Sequence, residues 1–258
     1  MQDKNITLPS EHISASQINT YLRCPAQYFF RYVRGIKIPP SSALTRGKCV
    51  HAGVEHNYRQ KIESRQDVSV NEVTEYVAAE FEALQDETQF EPDEVPGQVK
   101  DVTVTLAKAY HVELAPKIQP ILVEQEILLP IEPYGILLKG YVDLVDDKLW
   151  VRDTKTSMRS PNADEINKSL QLSAYAYSLQ KITGEMPKGV ALDYVVATKV
   201  PKVVVLEGTR TEQQVNRFVN TAARVGRAIS EGCFYPSEHN FLCSPEKCGY
   251  WELCHKEF

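Results

Sequence analysis

The chain has 258 residues, of which 43% are hydrophobic and 24% are charged, and its formal net charge is −5. This composition is typical of a globular protein with one large core, or with a core and an appended lobe. The negative charge argues against a general polyanion binder, and the sequence contains no apolar run long enough to predict a transmembrane helix. Residues 1–5 show no signal-peptide pattern, so we expect a cytoplasmic protein with no membrane contact.

The charge is distributed unevenly along the chain. Between His12 and Val54 there are six Lys or Arg residues and no acidic residue, whereas between Gln66 and Val99 there are ten Asp or Glu residues and no basic one. The first segment could lie along a phosphate backbone, or it could be a solvated helix face. The second segment could not contact phosphates.

The first half of the chain predicts helices. Ser14 and Ser16 can cap a helix over residues 15–23, and Pro25 can begin a second helix that runs to about Val33. Three longer helices follow, over residues 43–63, 71–89 and 97–115. We expect these helices to form a lobe that covers a cleft.

The second half predicts a sheet with two further helices. Strand patterns occupy residues 120–129, 136–145, 149–155, 189–197 and 201–207. Helical patterns occupy residues 163–182 and 211–231. This order indicates a mixed α/β core and not a repeating βαβ barrel. The tail from Gly232 to Phe258 is rich in cysteine and aromatic residues and shows little regular periodicity.

A β-rich ribbon in the middle of the chain carries the most informative pattern. Asp143 lies on its first run, and Asp153 and Lys155 point to one face of its second run. If residues 146–148 form a three-residue loop, Asp143 faces Val151 and lies diagonally from Asp153, about 7–8 Å away. Two carboxylates and an ammonium could then hold a divalent cation and an activated water, which suits phosphodiester hydrolysis. The alternative is an ordinary solvated hairpin.

Each of the other candidate polar residues could have a role in the site or an ordinary structural role. His51 on the predicted long helix could complete a cation site, or it could be a core or surface histidine. Gln171 and Tyr175 share a helix face and could hold a phosphate or a catalytic lysine, or they could belong to an ordinary amphipathic helix. Glu124 and Glu126 share one face of a strand, beside the site or on the solvent side of an edge strand; the sequence does not separate these interpretations.

The cysteines predict a soft metal centre. Cys243, Cys248 and Cys254 are clustered, and Cys24 lies far upstream, immediately before a proline. Without a secretory signal, clustered thiols favour metal binding over disulfides. Four thiolates suit a 4Fe-4S cluster or tetrahedral Zn²⁺, with His255 as a possible substitute ligand; the alternative is that the cysteines are small core hydrophobes.

Taken in order, these motifs resemble the RecB-like branch of the PD-(D/E)XK nuclease superfamily. The matching pieces are residues 14–28, Arg46-Gly47 with His51, residues 140–143, residues 153–156, Gln171-x3-Tyr175 and the C-terminal cysteines. The chain is similar to RecB-family exonucleases, to AddB-type iron–sulfur nuclease modules and to the CRISPR-associated nuclease that trims prespacers. The resemblance spans almost the full sequence.

The resemblance implies a fold and a domain organisation. The implied fold is α/β, with a restriction-endonuclease-like mixed central sheet flanked by helices, a helical N-terminal lobe and a cysteine-rich C-terminal tail. We expect one nuclease domain, residues 1–258. Its parts would be a helical lobe at about 12–116, a nuclease core at about 117–231, and a metal-cluster tail at about 232–258 that is joined to Cys24.

The resemblance also implies residue roles. Mg²⁺ or Mn²⁺ would be bound by His51, Asp143 and Asp153, with the Thr154 carbonyl as a further ligand. Lys155 would orient or help to deprotonate the attacking water, and Gln171 and Tyr175 would position Lys155 or the DNA strand. The 4Fe-4S cluster, or alternatively a structural Zn²⁺, would be held by Cys24, Cys243, Cys248 and Cys254. Four residues separate Cys243 from Cys248, where the family often has two.

We therefore expect a metal-dependent DNA nuclease, specifically an exonuclease acting on single-stranded DNA ends in recombination, repair or phage DNA processing. The sequence has no Walker-type phosphate loop, so the protein would act alone or beside a separate helicase, recombinase or integrase. One alternative is a prespacer-processing nuclease that acts within a CRISPR integrase complex. An alternative of another class is a catalytically idle DNA-binding scaffold.

Overall fold

A six-stranded mixed sheet forms the centre of the protein, whose computed structural model describes residues 8–258. Helices flank the sheet, which confirms the predicted restriction-endonuclease-like α/β architecture. The segment examined for a signal peptide, residues 1–5, lies outside the described residues. Within residues 8–258, no helix combines the length and the apolar character needed to span a bilayer.

The N-terminal segment enters the sheet through a short strand and then forms two short helices. Its elements are β1 (His12–Ile13), α1 (Ala15–Arg23), α2 (Pro25–Tyr28) and a π-helical turn (Phe29–Val33). A capping box starts α1, because Ser14 Oγ accepts from the Gln17 N–H and Gln17 Oε1 accepts from the Ser14 N–H. Pro25 is the first residue of α2, as predicted.

Three long helices pack together and against the sheet, close to the predicted ranges. They are α3 (Ser42–Ser64), α4 (Val70–Leu84) and α5 (Pro96–Glu113). Gly53 allows α3 and α4 to approach closely, because a Cβ at this position would lie 2.4 Å from Val77 Cγ2. The buried faces of the helices form a core cluster that includes Val123 and Leu144 of the sheet.

The sheet combines parallel and antiparallel pairs. Its longer strands are β2 (Pro120–Ile131), β3 (Ile136–Asp146), β4 (Trp150–Ser157), β5 (Gly189–Val196) and β6 (Lys202–Gly208). β2 pairs antiparallel with β3 along most of its length, while β1 and β4 pair with β3 near its two ends. β4 and β5 are parallel, and β5 and β6 are antiparallel. The carboxyl ends of β4 and β5 therefore lie at the same edge of the sheet.

The helices of the second half pack mainly on a second core cluster, together with α1. They are α6 (Glu165–Lys168), α7 (Leu170–Thr183) and α8 (Glu212–Ser230), and the tail adds α9 (Trp251–Glu257). The single helix predicted over residues 163–182 is wrong, because extended Ser169 separates α6 from α7. Ser169 Oγ caps α7, and the buried guanidinium of Arg210 donates to the carbonyls of Ile166 and Ser169. These bonds satisfy backbone carbonyl groups at the end of α6, so the helix does not need to continue.

The loop between β3 and β4 has the predicted three residues but lies one residue later in the chain, at residues 147–149 in place of 146–148. Val145 therefore pairs with Val151, and the predicted register is wrong by two residues. The side chain of Asp146 stabilises this turn, since its Oδ1 accepts hydrogen bonds from two backbone N–H groups within it. These bonds favour a loop that begins directly after Asp146.

Candidate active site

Neighbouring strands bring the acidic pair and the lysine of the ribbon together. β3 carries Asp143, and β4 carries Asp153 and Lys155. The register error of two residues is an even number, so Asp143 and Asp153 remain on one face of the sheet. Continued one residue beyond the Leu144–Arg152 pair, the observed register places the two aspartates directly opposite each other. The displaced loop therefore brings the carboxylates closer than the diagonal arrangement would.

His51 on α3 completes a group of three side chains that could hold a metal ion. One ligand atom from each of His51, Asp143 and Asp153 lies within 4.8 Å of the others. His51 Nδ1 is 3.6 Å from Asp143 Oδ2, and Nε2 contacts the carbonyl oxygen of Thr154. Burial lowers the pKa of His51, which favours the neutral imidazole that ligates metals. Nitrogen and carboxylate ligands of this kind suit a divalent cation.

The hydrogen bonding of the acidic pair also fits a cation. Asp143 Oδ2 and Asp153 Oδ2 are buried, and neither accepts a well-directed hydrogen bond. The pKa of Asp153 is raised to about 7, mainly by burial, with Lys155 opposing the shift and the nearby carboxylate of Asp143 adding to it. Two adjacent buried carboxylates without directed hydrogen bonds at these oxygens are costly, and a divalent cation would supply a further favourable interaction. The residues present therefore fit the metal that the motif predicts.

A chain of hydrogen bonds runs from one aspartate to the other through three further side chains. Lys155 Nζ lies 2.8 Å from both oxygens of Asp153, with a directed bond to Oδ1, and it donates to Gln171 Oε1 at 3.0 Å. Gln171 Nε2 then donates to Tyr175 Oη at 2.6 Å, and the Tyr175 hydroxyl donates to Asp143 Oδ1. The structure therefore brings all five predicted catalytic side chains together.

Glu124 and Glu126, which the sequence does not separate, have different surroundings. Glu124 lies opposite Asp143 in the β2–β3 register, with a backbone φ of +45° that is uncommon for a residue other than glycine. Burial raises the pKa of Glu124, and Glu55 on α3 adds to this effect. Glu126 is exposed and forms an ion pair with Lys139 at 3.2 Å. Glu124 therefore borders the candidate metal site, and no sequence pattern distinguishes it from Glu126.

The clustered cysteines line a separate cavity of about 500 Å³ between the N-terminal helices and the tail. The cysteines around it are Cys24, Cys243, Cys248 and Cys254. Burial raises the pKa of the Cys243 and Cys254 thiols, and the neighbouring cysteines add to this shift. Gln27 Nε2 donates to Cys248 Sγ at 3.5 Å, and His255 also lines the cavity. Cys24, the distant thiol of the predicted metal centre, thus lines the same cavity as the three C-terminal cysteines.

Comparisons with known proteins agree with this architecture. A protein of Eubacterium rectale, provisionally described as an exonuclease, has a solved structure with a TM-score of 0.62 and 12% identity, covering 94% of this chain and 88% of that chain. The structure of SSO0001 covers 94% of this chain and 96% of that chain at 13% identity. Its TM-score of 0.40 is too low to indicate a shared fold. No curated protein sequence matches the chain.

The structural likeness supports the fold alone, because the identity is low. The family is shown by a sequence model, described as the PD-(D/E)XK nuclease superfamily, that matches residues 12–255. This match includes the acidic pair, the lysine, the histidine and the cysteine cluster. The chain therefore belongs to the PD-(D/E)XK nuclease superfamily.

Proposed function

We propose that this nuclease is a metal-dependent DNA exonuclease of the RecB-like branch that degrades single-stranded ends. The observation that carries the proposal is the convergence of His51, Asp143 and Asp153 within 4.8 Å, with Lys155 Nζ 2.8 Å from Asp153. A catalytically idle scaffold has no need to retain this costly arrangement of buried charges. The complete set of polar groups therefore favours an enzyme.

In the proposed reaction, His51, Asp143, Asp153 and the Thr154 carbonyl would hold Mg²⁺ or Mn²⁺, which would supply positive charge near the phosphate and lower the pKa of water. Lys155, fixed between Asp153 and Gln171, orients the attacking water or helps to deprotonate it. It also offsets the negative charge that builds on the phosphate. Gln171 holds the ammonium by its amide oxygen, and Tyr175 holds Asp143 by its hydroxyl.

An exposed aromatic ring beside the site supports the single-strand preference. Tyr141 is 49% exposed and lies two residues before Asp143 on β3, on the same strand face and about 7 Å away along the backbone. Unpaired bases stack on such rings with about 1–3 kcal/mol per base. Paired bases within a duplex have their faces covered, so this contact favours a single strand.

Digestion of end-labelled single- and double-stranded oligonucleotides, with Mg²⁺ and Mn²⁺ titrated separately, tests the proposed activity. We expect progressive shortening of the single strand from one end. Lys155→Ala should slow cleavage by roughly 10²–10⁴-fold, because it removes the group that orients and polarises the water. The matched control is Lys139→Ala, which removes an exposed lysine of the neighbouring strand. Equal cleavage by the native protein and Lys155→Ala would show a contaminant, and cutting of circular single strands would show an endonuclease.

We further propose that Cys24, Cys243, Cys248 and Cys254 hold a 4Fe-4S cluster. Tetrahedral Zn²⁺ requires thiolates about 3.8 Å apart, given Zn–S bonds of about 2.3 Å. In the part of the chain that the structure describes, no three cysteine sulfurs lie within 4.8 Å of one another, unlike the ligand atoms of the His51 group. A wider arrangement around a cavity of about 500 Å³ favours the larger iron–sulfur cluster.

Anaerobic purification tests the cluster. We expect brown protein with about four iron and four sulfide per chain. Cys248→Ser should lose the colour and lower the melting temperature, because the cluster ties the tail to the N-terminal helices. Cys233→Ser, at an exposed cysteine outside the cavity lining, serves as the control and should keep both. Colourless protein with one zinc per chain would assign a zinc site instead.

We place the proposed exonuclease in the cytoplasm, in recombination, repair or phage DNA processing, beside a separate helicase, recombinase or integrase. The helical lobe, the nuclease core and the cysteine tail would act as one domain. The contacts of α3 with β2 and β4 and of α1 with α7 and α8 support this proposal, because they join the lobe and the core.

A further inference from the structure

Three cations lie together at the edge of the sheet where β4 and β5 end. Arg159 follows β4, Lys199 lies in the turn after β5, and Lys202 begins β6. The Ala197 N–H donates to the Ser157 carbonyl at 2.8 Å, which joins the two segments just beyond the strands. All three cations are exposed, and within residues 8–258 none of them forms an ion pair.

The register places this group next to the catalytic lysine. Lys155 pairs with Tyr194, which pairs with Val204, so these residues form one row across three strands. Two residues further along each strand, the next row consists of Ser157, Val196 and Lys202. Because side chains alternate, Lys202 faces the same side of the sheet as Lys155, about 12 Å away at the backbone.

The two segments that carry the three cations suit a polyanion, since the nearby carboxylate of Glu165 is hydrogen-bonded to Tyr194 and the segments themselves contain no acidic residue. There is no Asp or Glu between Lys155 and Ala163, and none between Tyr194 and Leu206, although the whole chain has a net charge of −5. Two apolar side chains at the same edge are also open to solvent, since Met158 is 58% and Val200 is 77% exposed. Exposed cations with apolar contacts fit the sugar–phosphate backbone of a nucleic-acid strand.

We propose that Arg159, Lys199 and Lys202 form a cationic rim that binds the phosphates of the substrate strand as it passes Lys155. The proposal rests on the proposed nuclease function and extends it to the path of the strand. Contacts with phosphates carry no sequence information, so the rim positions the strand without selecting its bases. It acts on substrate binding and not on the chemical step.

The test compares the native protein with the triple variant Arg159→Gln, Lys199→Gln, Lys202→Gln on a labelled single strand over a range of KCl concentrations. We expect KM to rise with kcat nearly unchanged. The slope of log kcat/KM against log salt should become shallower by roughly 2, since each phosphate contact on a single strand contributes about 0.7. Cleavage of bis(p-nitrophenyl) phosphate, which is too short to reach the rim, should be the same for both proteins.

A matched control removes three exposed cations elsewhere on the surface, all of them arginines that form no ion pair within residues 8–258. It replaces Arg217, Arg224 and Arg227 on α8 by glutamine, with the same loss of charge. If this control reduces the salt slope as much as the rim variant, the effect is one of net charge and the proposal is overturned. An unchanged slope in the rim variant also overturns it. Failure of the native protein to cleave either substrate would instead count against the proposed nuclease function.

Discussion

Replacing Asp153 by asparagine is expected to abolish metal-dependent cleavage and to stabilise the metal-free protein at pH 8. Asp153 is fully buried, and its Oδ2 has no well-directed hydrogen bond. Asparagine has nearly the same shape but carries no charge and is a weaker ligand for a divalent cation. A metal ion supplies several kcal/mol to the reaction, so we expect a loss on the order of 10³-fold or more.

The stability effect has a defined direction with pH. Burial raises the pKa of Asp153 to about 7 in the folded protein, whereas an unfolded aspartate has a pKa of about 3.9. Between these values the folded state binds more protons, so the stability of the metal-free protein falls as pH rises from about 4 to 7. Burial also raises the pKa of Asp143, which acts in the same direction. Asp153→Asn cannot ionise at this position and so lacks the loss of stability that Asp153 causes. The difference in melting temperature between Asp153→Asn and the native protein should therefore grow between pH 5 and pH 8.

Melting temperatures at several pH values, with and without Mn²⁺, measure both effects. Mn²⁺ should stabilise the native protein most at pH 8, where the ligands are deprotonated, and should stabilise Asp153→Asn far less. Glu126→Gln is the control, because Glu126 is an exposed carboxylate and should leave cleavage and the metal response unchanged. Native-like cleavage by Asp153→Asn would exclude Asp153 as an essential ligand.

The ribbon explains why much of the site could be predicted from the sequence. Side chains on a strand alternate, so the shared face of Asp143 and Asp153 depends only on whether the register shift is even or odd. The loop lies one residue later than predicted, which shifts the register by two residues, and the shared face is therefore preserved. Gln171 and Tyr175 share a face because they are four residues apart within one helix. These relations are local, and the sequence contains them.

The remaining features depend on contacts between distant segments. The break at Ser169 is stabilised by Arg210, which lies about forty residues later in the chain. His51 looks like any lone histidine until α3 packs beside β4 and brings it to Thr154. Glu124 lies opposite Asp143 and has a positive backbone φ, a conformation that glutamate does not favour. Pattern and spacing cannot supply these contacts, because the tertiary fold creates them.

Replacing Asp193 by alanine is expected to reduce the free energy of unfolding by about 3–5 kcal/mol. Asp193 lies on β5, whose residues are all buried, and it receives two hydrogen bonds from Arg152, at 2.8 Å from Nε and 2.7 Å from Nη2. Burial raises the pKa of Asp193, and the guanidinium of Arg152 opposes this shift. Alanine would leave the guanidinium buried without this partner, on the strand that carries Asp153.

Urea denaturation measures this loss and can separate its cause. The exposed pair Arg34–Glu257, at 3.1 Å, is the control, and Glu257→Ala should cost less than about 1 kcal/mol. The double replacement Arg152→Met, Asp193→Leu should recover much of the stability lost in Asp193→Ala, because it removes both buried charges and fills the space with apolar atoms. Equal losses in the single and double variants would mean that the ion pair itself, and not the unpaired guanidinium, accounts for the stability. The expected recovery would instead assign the cost to the guanidinium that Asp193→Ala leaves buried without its partner, on the strand that carries Asp153.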